Sequence, residues 1–404
     1  MKLFQKLLLA PAAIGLFAPI SANASEANLM DVSNYSQVDV EVTQDTFKPL
    51  STKNPLLAGG EGLGQDLVND FDGDTFSSTT SASFTANMAI GSVDGNANEE
   101  KVGTTFDWAL STVTSFTGND SLDVTLNAGS GDDHLQELDF TDSGDAVNVD
   151  SISYTSSLGQ YLTYFFGFGT DGSYLYNTAC AYEGQTEVLS KCALDQVGLD
   201  RGFGTNFGLS VDFGNDITAA FGYEGEGATE DGLLTEEGAD GYGAQVSYIK
   251  DNWGISLTAS HRENVSIDDD AAAPSQMYEV VGNERDVRAI NAFFVPSLEN
   301  FPSISLGYEW VDNNNPDLDD DQDEWTSYFI GVQFDNFGNG TLGGAVGSKE
   351  PTREDRDAET MYEVYYSYNY ADGMTITPLF FVKEESTAGV DDETGMIIKT
   401  TFEF

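Results

Sequence analysis

Few residues of this chain are equipped for covalent or metal chemistry, and those few are badly placed for it. Its 404 residues hold two histidines, His134 and His261, and two cysteines, Cys180 and Cys192. The histidines stand at or beyond the ends of apolar segments, in acidic stretches where an imidazole is ordinarily just hydrated. No GxSxG, HExxH or phosphate-loop pattern occurs, and no nucleophile, base and orienting group can be assembled, so the chain reads as no enzyme. Neither a CxxC spacing nor a neighbouring histidine assigns the cysteines to metal or redox work. Past an oxidising export step they are expected to pair, closing a loop of ~13 residues and stiffening it by up to roughly 3 kcal/mol.

Carboxylates are the abundant group. There are 68 Asp and Glu against 16 Lys and Arg, a formal charge of -52. A chain so charged cannot be held on nucleic acid by phosphate contacts. Hard cations want several carboxylates, and Asp317-Leu318-Asp319-Asp320-Asp321 is the densest run. It fails as a calcium loop, because Gln322 stands where a Gly should make the turn and Tyr328 where a bidentate Glu should close the shell. No cofactor is implied. Weak, nonspecific calcium or magnesium binding by the acidic stretches is the most this pattern supports.

The elements that must carry these groups follow from where the apolar residues lie. Hydrophobic residues make up 40% of the chain and 26 are Phe, too much apolar material for a solvated acidic tail. Charge and apolar groups must therefore be segregated along the sequence. Residues 1–24 form a signal peptide, with Lys2 and Lys6, an apolar run from Leu7 to Ile20 and the small-residue site Ala22-Asn23-Ala24. Its removal leaves 14 bases against 68 acids, a charge of -54. No later stretch approaches the ~18 apolar residues of a membrane helix. Residues 25–75 are polar and irregular, an N-terminal extension.

From residue 76 onward the period is two. Phe84, Ala86, Met88 and Ile90 alternate with Ser83, Thr85, Asn87 and Ala89, which puts one set on each face of a strand. The same rule predicts strands near 78–91, 102–117, 121–129, 146–155, 161–169, 204–213, 217–223, 242–248, 253–260, 286–295, 303–310, 325–334, 341–346, 359–369, 374–383 and 394–404. At roughly ten residues each they suit a tilted crossing of a bilayer. Two fit poorly: Val147 and Val149 lie out of parity with Ile152 and Tyr154, which calls for a bulge or another register, and 161–169 is aromatic on both faces. The count is accordingly sixteen within a range of fourteen to eighteen. Tight Asn, Asp and Gly turns alternate with long acidic connections; 224–241 and 312–324 each hold seven acids and no base. Short turns on one side and long loops on the other are the pattern of an all-β transmembrane antiparallel barrel over 76–404, with both ends on the periplasmic side of the outer membrane. Phe402 and Phe404 end an alternating final strand, as in strands read by the barrel assembly machinery.

Particular runs of residues resemble a family. Leu3, Phe4 and Ala10-Pro11-Ala12-Ala13, then Asn28, Asp31-Val32-Ser33 and Tyr35-Ser36, are similar to the start of cyanobacterial outer-membrane porins of the carbohydrate-porin (OprB-like) group. So are Thr75-Phe76-Ser77-Ser78-Thr79-Thr80, Thr114-Ser115-Phe116-Thr117-Gly118, Leu126-Asn127-Ala128-Gly129 and Leu135-Gln136-Glu137-Leu138-Asp139. The later chain matches only by pattern. That family carries an S-layer-homology domain and a coiled coil between the first and second groups of motifs. Here the two groups are too close for either, which puts peptidoglycan anchoring in doubt and leaves the barrel untouched.

The resemblance implies a homotrimer in outer-membrane lipid, passing small ions and hydrophilic solutes, possible sugars included, with a third long loop folded into the pore. By position that loop is 170–203, with Glu183, Glu187, Lys191, Asp195, Asp200 and Arg201 as constriction candidates. Strand parity nominates Asp107, Asp123, Asp150, Asp212, Glu309, Glu363 and Glu403, against Arg288, Lys383 and Lys399, as lumen-facing charges. Seven acids to three bases predict a cation-preferring lumen, unless Lys191 and Arg201 dominate the narrowest point. Tyr362, Tyr366, Tyr368, Trp253 and Trp310 suit interfacial girdles, and Gly243, Gly331, Gly343 and Gly344 suit sites where barrels pack together or the wall curves. A reading of another class stands beside this one: a non-transporting acidic surface protein assembled through divalent cations.

Overall fold

The computed structural model describes residues 79–95, 101–131, 135–138, 140–190, 192, 199, 204–225, 233–234, 239–263, 284–297, 301–314, 324–349, 359–384 and 391–404. The signal peptide and N-terminal extension, His134, Lys191, Asp195, Asp200, Arg201 and the Asp317 run lie outside the described residues.

Sixteen strands follow in chain order: β1 (Thr80–Asp94), β2 (Gly103–Thr114), β3 (Asp120–Gly129), β4 (Asn148–Leu158), β5 (Leu162–Phe168), β6 (Thr205–Gly214), β7 (Ile217–Gly225), β8 (Asp240–Lys250), β9 (Trp253–Glu263), β10 (Glu284–Phe294), β11 (Ser303–Asn314), β12 (Glu324–Phe334), β13 (Gly340–Lys349), β14 (Glu359–Ala371), β15 (Met374–Lys383) and β16 (Glu393–Glu403). Each pairs antiparallel with its sequence neighbours, and β1 pairs with β16, so the sheet closes on itself. Closure leaves no strand edge with unpaired N–H and C=O groups, the condition for a sheet to exist in hydrocarbon. No helix among the described residues is long and apolar enough to cross a membrane.

The two-residue period decides which way each side chain points. Met88, Ile90, Phe106, Phe166, Phe168, Phe207, Leu209, Val246, Leu257, Leu306, Ile330, Val364 and Phe380 are exposed on the outside. Their partners in alternation, such as Ser153, Asn206, Gln245, Ser256, Asn291 and Ser305, are buried inside. An apolar exterior around a polar interior is the inverse of a water-soluble barrel. Trp253, Trp310, Tyr362, Tyr366 and Tyr368 also lie on the outer face, among ring pairs such as Tyr248–Trp253 (5.1 Å), Tyr308–Trp310 (4.6 Å) and Tyr366–Tyr368 (6.3 Å).

Both misfitting segments resolve. In β4 the pairing passes from Thr125↔Ser151 to Leu126↔Val149, so Asp150 is an extra residue, and Val147, Val149 and Ile152 all reach the outer face. In β5, Phe166 and Phe168 face out, whereas Phe165 is buried within the barrel beneath Tyr174, ring centroids 5.2 Å apart. His261 is not in a loop: it sits in β9, with Nδ1 3.0 Å from Asp286 Oδ1 and its ring 5.2 Å from Tyr242.

Candidate functional site

The described part of the connection between β5 and β6, chiefly residues 169–190, does not project outward. Its main chain runs along the inner wall, bonded to inward side chains of successive strands. The N–H of Ala179 donates to Ser256 Oγ (3.0 Å), that of Ala181 to Ser305 Oγ (2.9 Å) and that of Glu183 to Gln333 Oε1 (2.9 Å). Gln245 Nε2 reaches Thr178 Oγ1 at 3.0 Å, and Asn291 Nδ2 reaches the carbonyl of Cys192 at 2.7 Å. The strand residues thus stand in for the secondary structure that the loop lacks. Glycines make the room. A Cβ on Gly331 would meet the Tyr182 ring at 2.7 Å, one on Gly347 would meet Leu189 at 2.8 Å, and one on Gly243 would meet the Tyr176 hydroxyl at 2.8 Å. Gly243, Gly331 and Gly343, which the sequence suggested for barrel packing or curvature, are instead a groove on the inner face; Gly343 lies under Tyr365.

The loop is clamped at its far end by Glu363 of β14. This carboxylate is buried and accepts from Tyr182 Oη (2.7 Å), Thr186 Oγ1 (2.7 Å), Thr186 N (3.0 Å) and Gln185 N (3.1 Å). Charge-assisted bonds of this kind are the strong ones. Burial, reinforced by the Glu363 carboxylate, pushes the Tyr182 hydroxyl far above the ordinary tyrosine range, which keeps it a donor. A single helical turn, α1 (Glu187–Ser190), follows and buries Leu189. Cys180 and Cys192 are disulfide-bonded, closing the segment that carries the clamp donors and α1.

Another part of the inner wall carries a polar network of its own. Asn87 Nδ2 donates to Asp107 Oδ1 (2.9 Å), Thr401 Oγ1 to Asn87 Oδ1 (2.8 Å), Ser121 Oγ to Asp123 Oδ2 (2.7 Å) and Asn127 Nδ2 to Asp150 Oδ1 (2.7 Å). Apart from the exposed Asp150, this hydroxyl, carboxamide and carboxylate surface is half-buried, as a wall facing water in a narrow lumen should be. Lys399 stands beside it, within electrostatic reach of Asp107 and Glu363.

Register places Asp107, Asp123, Asp212, Glu309, Glu363, Lys383, Lys399 and Glu403 on the inner face, with Asp150 at the bulge. Arg288 is a correction. It pairs with Trp310 and Ala259 on the outer face and is exposed. The inner face of β10 carries Val287 and Ala289, buried against Val311, so apolar residues occupy both faces and parity misled. Inner charges that sequence reasoning missed are Glu224, Arg262, Arg285 and Glu393. The first two follow from continuing β7 and β9 two or three residues past the segments predicted at 217–223 and 253–260. Of the constriction candidates, Glu183 is exposed and Glu187 half-buried at the start of α1. The structure thus joins the loop to Glu363 across the barrel, a meeting no local pattern announces.

A closed barrel, apolar outside and polar within, narrowed by an inserted loop, is the architecture of a porin-type channel. Comparison with solved structures agrees. OprB of Pseudomonas putida in its high-pH structure is similar with a TM-score of 0.59 and 11% identity, over 81% of this chain and 94% of that one. The anion-selective porin of Comamonas acidovorans gives 0.55 at 14% identity over 81% and 99%. The trimer form of OmpT, an outer membrane protein of Vibrio cholerae, gives 0.52 at 8% over 81% and 100%. No protein-family model and no curated protein matches the chain. At these identities the likeness is one of fold, and the chain has the fold of outer-membrane porins.

Proposed function

We propose that the protein is an outer-membrane porin, a passive channel for inorganic ions and small hydrophilic solutes. The observation that carries this reading is the half-buried polar wall Asn87, Asp107, Asp123, Asn127 and Thr401, left facing the inserted loop inside a barrel whose exterior is apolar. Nothing on that wall is arranged for covalent chemistry; it offers hydrogen bonds and negative charge to whatever passes. An acidic layer protein assembled by divalent cations has no need of an apolar exterior.

The channel prefers cations. Among the described strand side chains on the inner face that are not buried, Asp107, Asp123, Asp150 at the bulge, Asp212 and Glu403 face Arg285, Lys383 and Lys399. A low-dielectric wall focuses the field of such an excess into the lumen. The protein reaches the outer membrane by secretion with cleavage after Ala24, is inserted through its final strand ending at Phe402 and Phe404, and works as a homotrimer, the form in which the Vibrio cholerae neighbour was described.

Single-channel recording of the mature chain, refolded in detergent and inserted in a planar bilayer under a salt gradient, tests the reading. Discrete steps with a reversal potential of cationic sign are expected. Anionic sign would overturn the selectivity, and a folded barrel that never conducts would overturn the channel.

A further inference from the structure

We propose that the loop between β3 and β4 is a second constriction element, folded into the lumen of its own barrel and latched across β1 to β15 and β16, so that two loops together set the width of the pore. The inference rests on the channel reading above.

The argument starts from dryness. Leu135 and Leu138 belong to an external acidic loop, yet they are only 2% and 7% exposed. They are buried because they sit among inward-facing barrel residues: Ala89 and Val93 of β1, Phe381 of β15, Ile397 of β16 and Leu189 of α1. A 3-10 turn at Gln136–Leu138, with Leu138 N bonded to Leu135 O at 3.0 Å, brings the two leucines to one side. Between them Glu137 places Oε1 3.3 Å from Lys383 Nζ of β15, and Lys383 lies 3.9 Å from Glu393 of β16. All three side chains are largely buried, which makes the ion pair costly to break from one side. The base of the loop is held as firmly. Thr141 N donates to Asp107 Oδ2 at 3.3 Å, Ser130 bridges Asp142, and Ser143 N donates to Gly129 O at 3.2 Å.

Base and tip therefore lie on different strands. The base is tied to β2 and β3, and the tip to β15 and β16, with β1 between them. The loop crosses the sector whose wall carries Asn87, Asp107 and Thr401, the part of the lumen that the first loop leaves open. Its contact with Leu189 locks the two loops together, so a solute on that wall must pass beneath both.

The test is conductance of the refolded full-length mature barrel, with neutral polymers of graded size in the bath and heat-modifiable gel mobility to confirm folding. Leu135→Asp with Leu138→Asp makes the tip incompatible with a dry site, and Glu137→Lys sets two ammonium groups against each other. Each is expected to raise conductance by about twofold and to admit larger polymers, since conductance follows pore width. Combining Glu137→Lys with Lys383→Glu restores the pair and should return both readings toward the wild type. Wild-type conductance and polymer cutoff in the folded variants would overturn the latch while leaving the channel. A silent wild type with conducting variants would establish the latch and overturn the open pore, and silence from all of them would overturn both.

Discussion

Met361, Tyr365, Leu379, Phe381, Ile397 and Val93 point into the barrel from β14, β15, β16 and β1, and each is 2% exposed or less. Asp107, Ser111, Asp123 and Thr125 point into the same barrel from β2 and β3 and remain half-buried. The two sectors share a backbone geometry and a side-chain period. They differ in what stands opposite. On the first side Tyr182, Leu189, Leu135 and Leu138 supply a second apolar layer, and burial of that surface drives water out. On the second the loop contact among the described residues is polar, Thr141 N donating to Asp107 Oδ2, no apolar layer is laid over the wall, and water stays. Facing inward and facing the pore are thus different properties, and the inserted loops separate them.

Destroying the clamp on the dry side should have the largest effect. Glu363→Ala leaves the hydroxyls of Tyr182 and Thr186 and the N–H groups of Gln185 and Thr186 without their acceptor, a loss of roughly 3 kcal/mol or more in docking of the loop. The expected result is a larger, noisier single-channel conductance and protease cleavage between residues 180 and 192 in a barrel that keeps its strand content by circular dichroism. If the dry side holds without Glu363, conductance and cleavage will not change, and apolar packing alone will have to account for it.

The covalent staple comes next. Replacing Cys180 and Cys192 by Ser together releases a constraint worth up to ~3 kcal/mol in the free loop, but within the barrel the Glu363 clamp and the apolar layer still hold. Faster amide exchange over 181–190, with unchanged exchange in the strands, is the expected reading. The conductance increase should be smaller than that of Glu363→Ala.

The smallest change is expected on the wet side. Asp107→Asn with Asp123→Asn should lower the cation-to-anion permeability ratio by about twofold, and Lys399→Gln should raise it by a similar factor, with little change in thermal stability. Reversal potentials in a salt gradient read both. Equal shifts from neutralising Glu224, which is 3% exposed, would show that the distinction between dry and wet sectors does not govern selectivity.

Much of this was readable in the chain. Alternation alone located sixteen strands, because in a barrel between lipid and lumen every second residue meets a different solvent, as Phe84, Ala86, Met88 and Ile90 show. The parity break between Val149 and Ile152 called for a bulge or another register, and the extra residue at Asp150 is that bulge. Alternation failed where the contrast between the two solvents vanished. On β10 the inner face is as dry as the outer one, and Arg288 was assigned to the wrong side. It also could not find the partners of Glu363 or Lys383, which lie 177 positions away at Thr186 and in the loop that carries Glu137.

The sequence by itself determined the strand count to within fourteen to eighteen, the alternation of turns and loops, and the apolar exterior, because these depend on neighbours one, two or ten residues apart. Only the tertiary structure decided which inward side chains are dry, which carboxylate clamps the loop, and where the pore is left open. Those outcomes depend on which segments the closed barrel brings face to face, and closure joins residues that no local period connects.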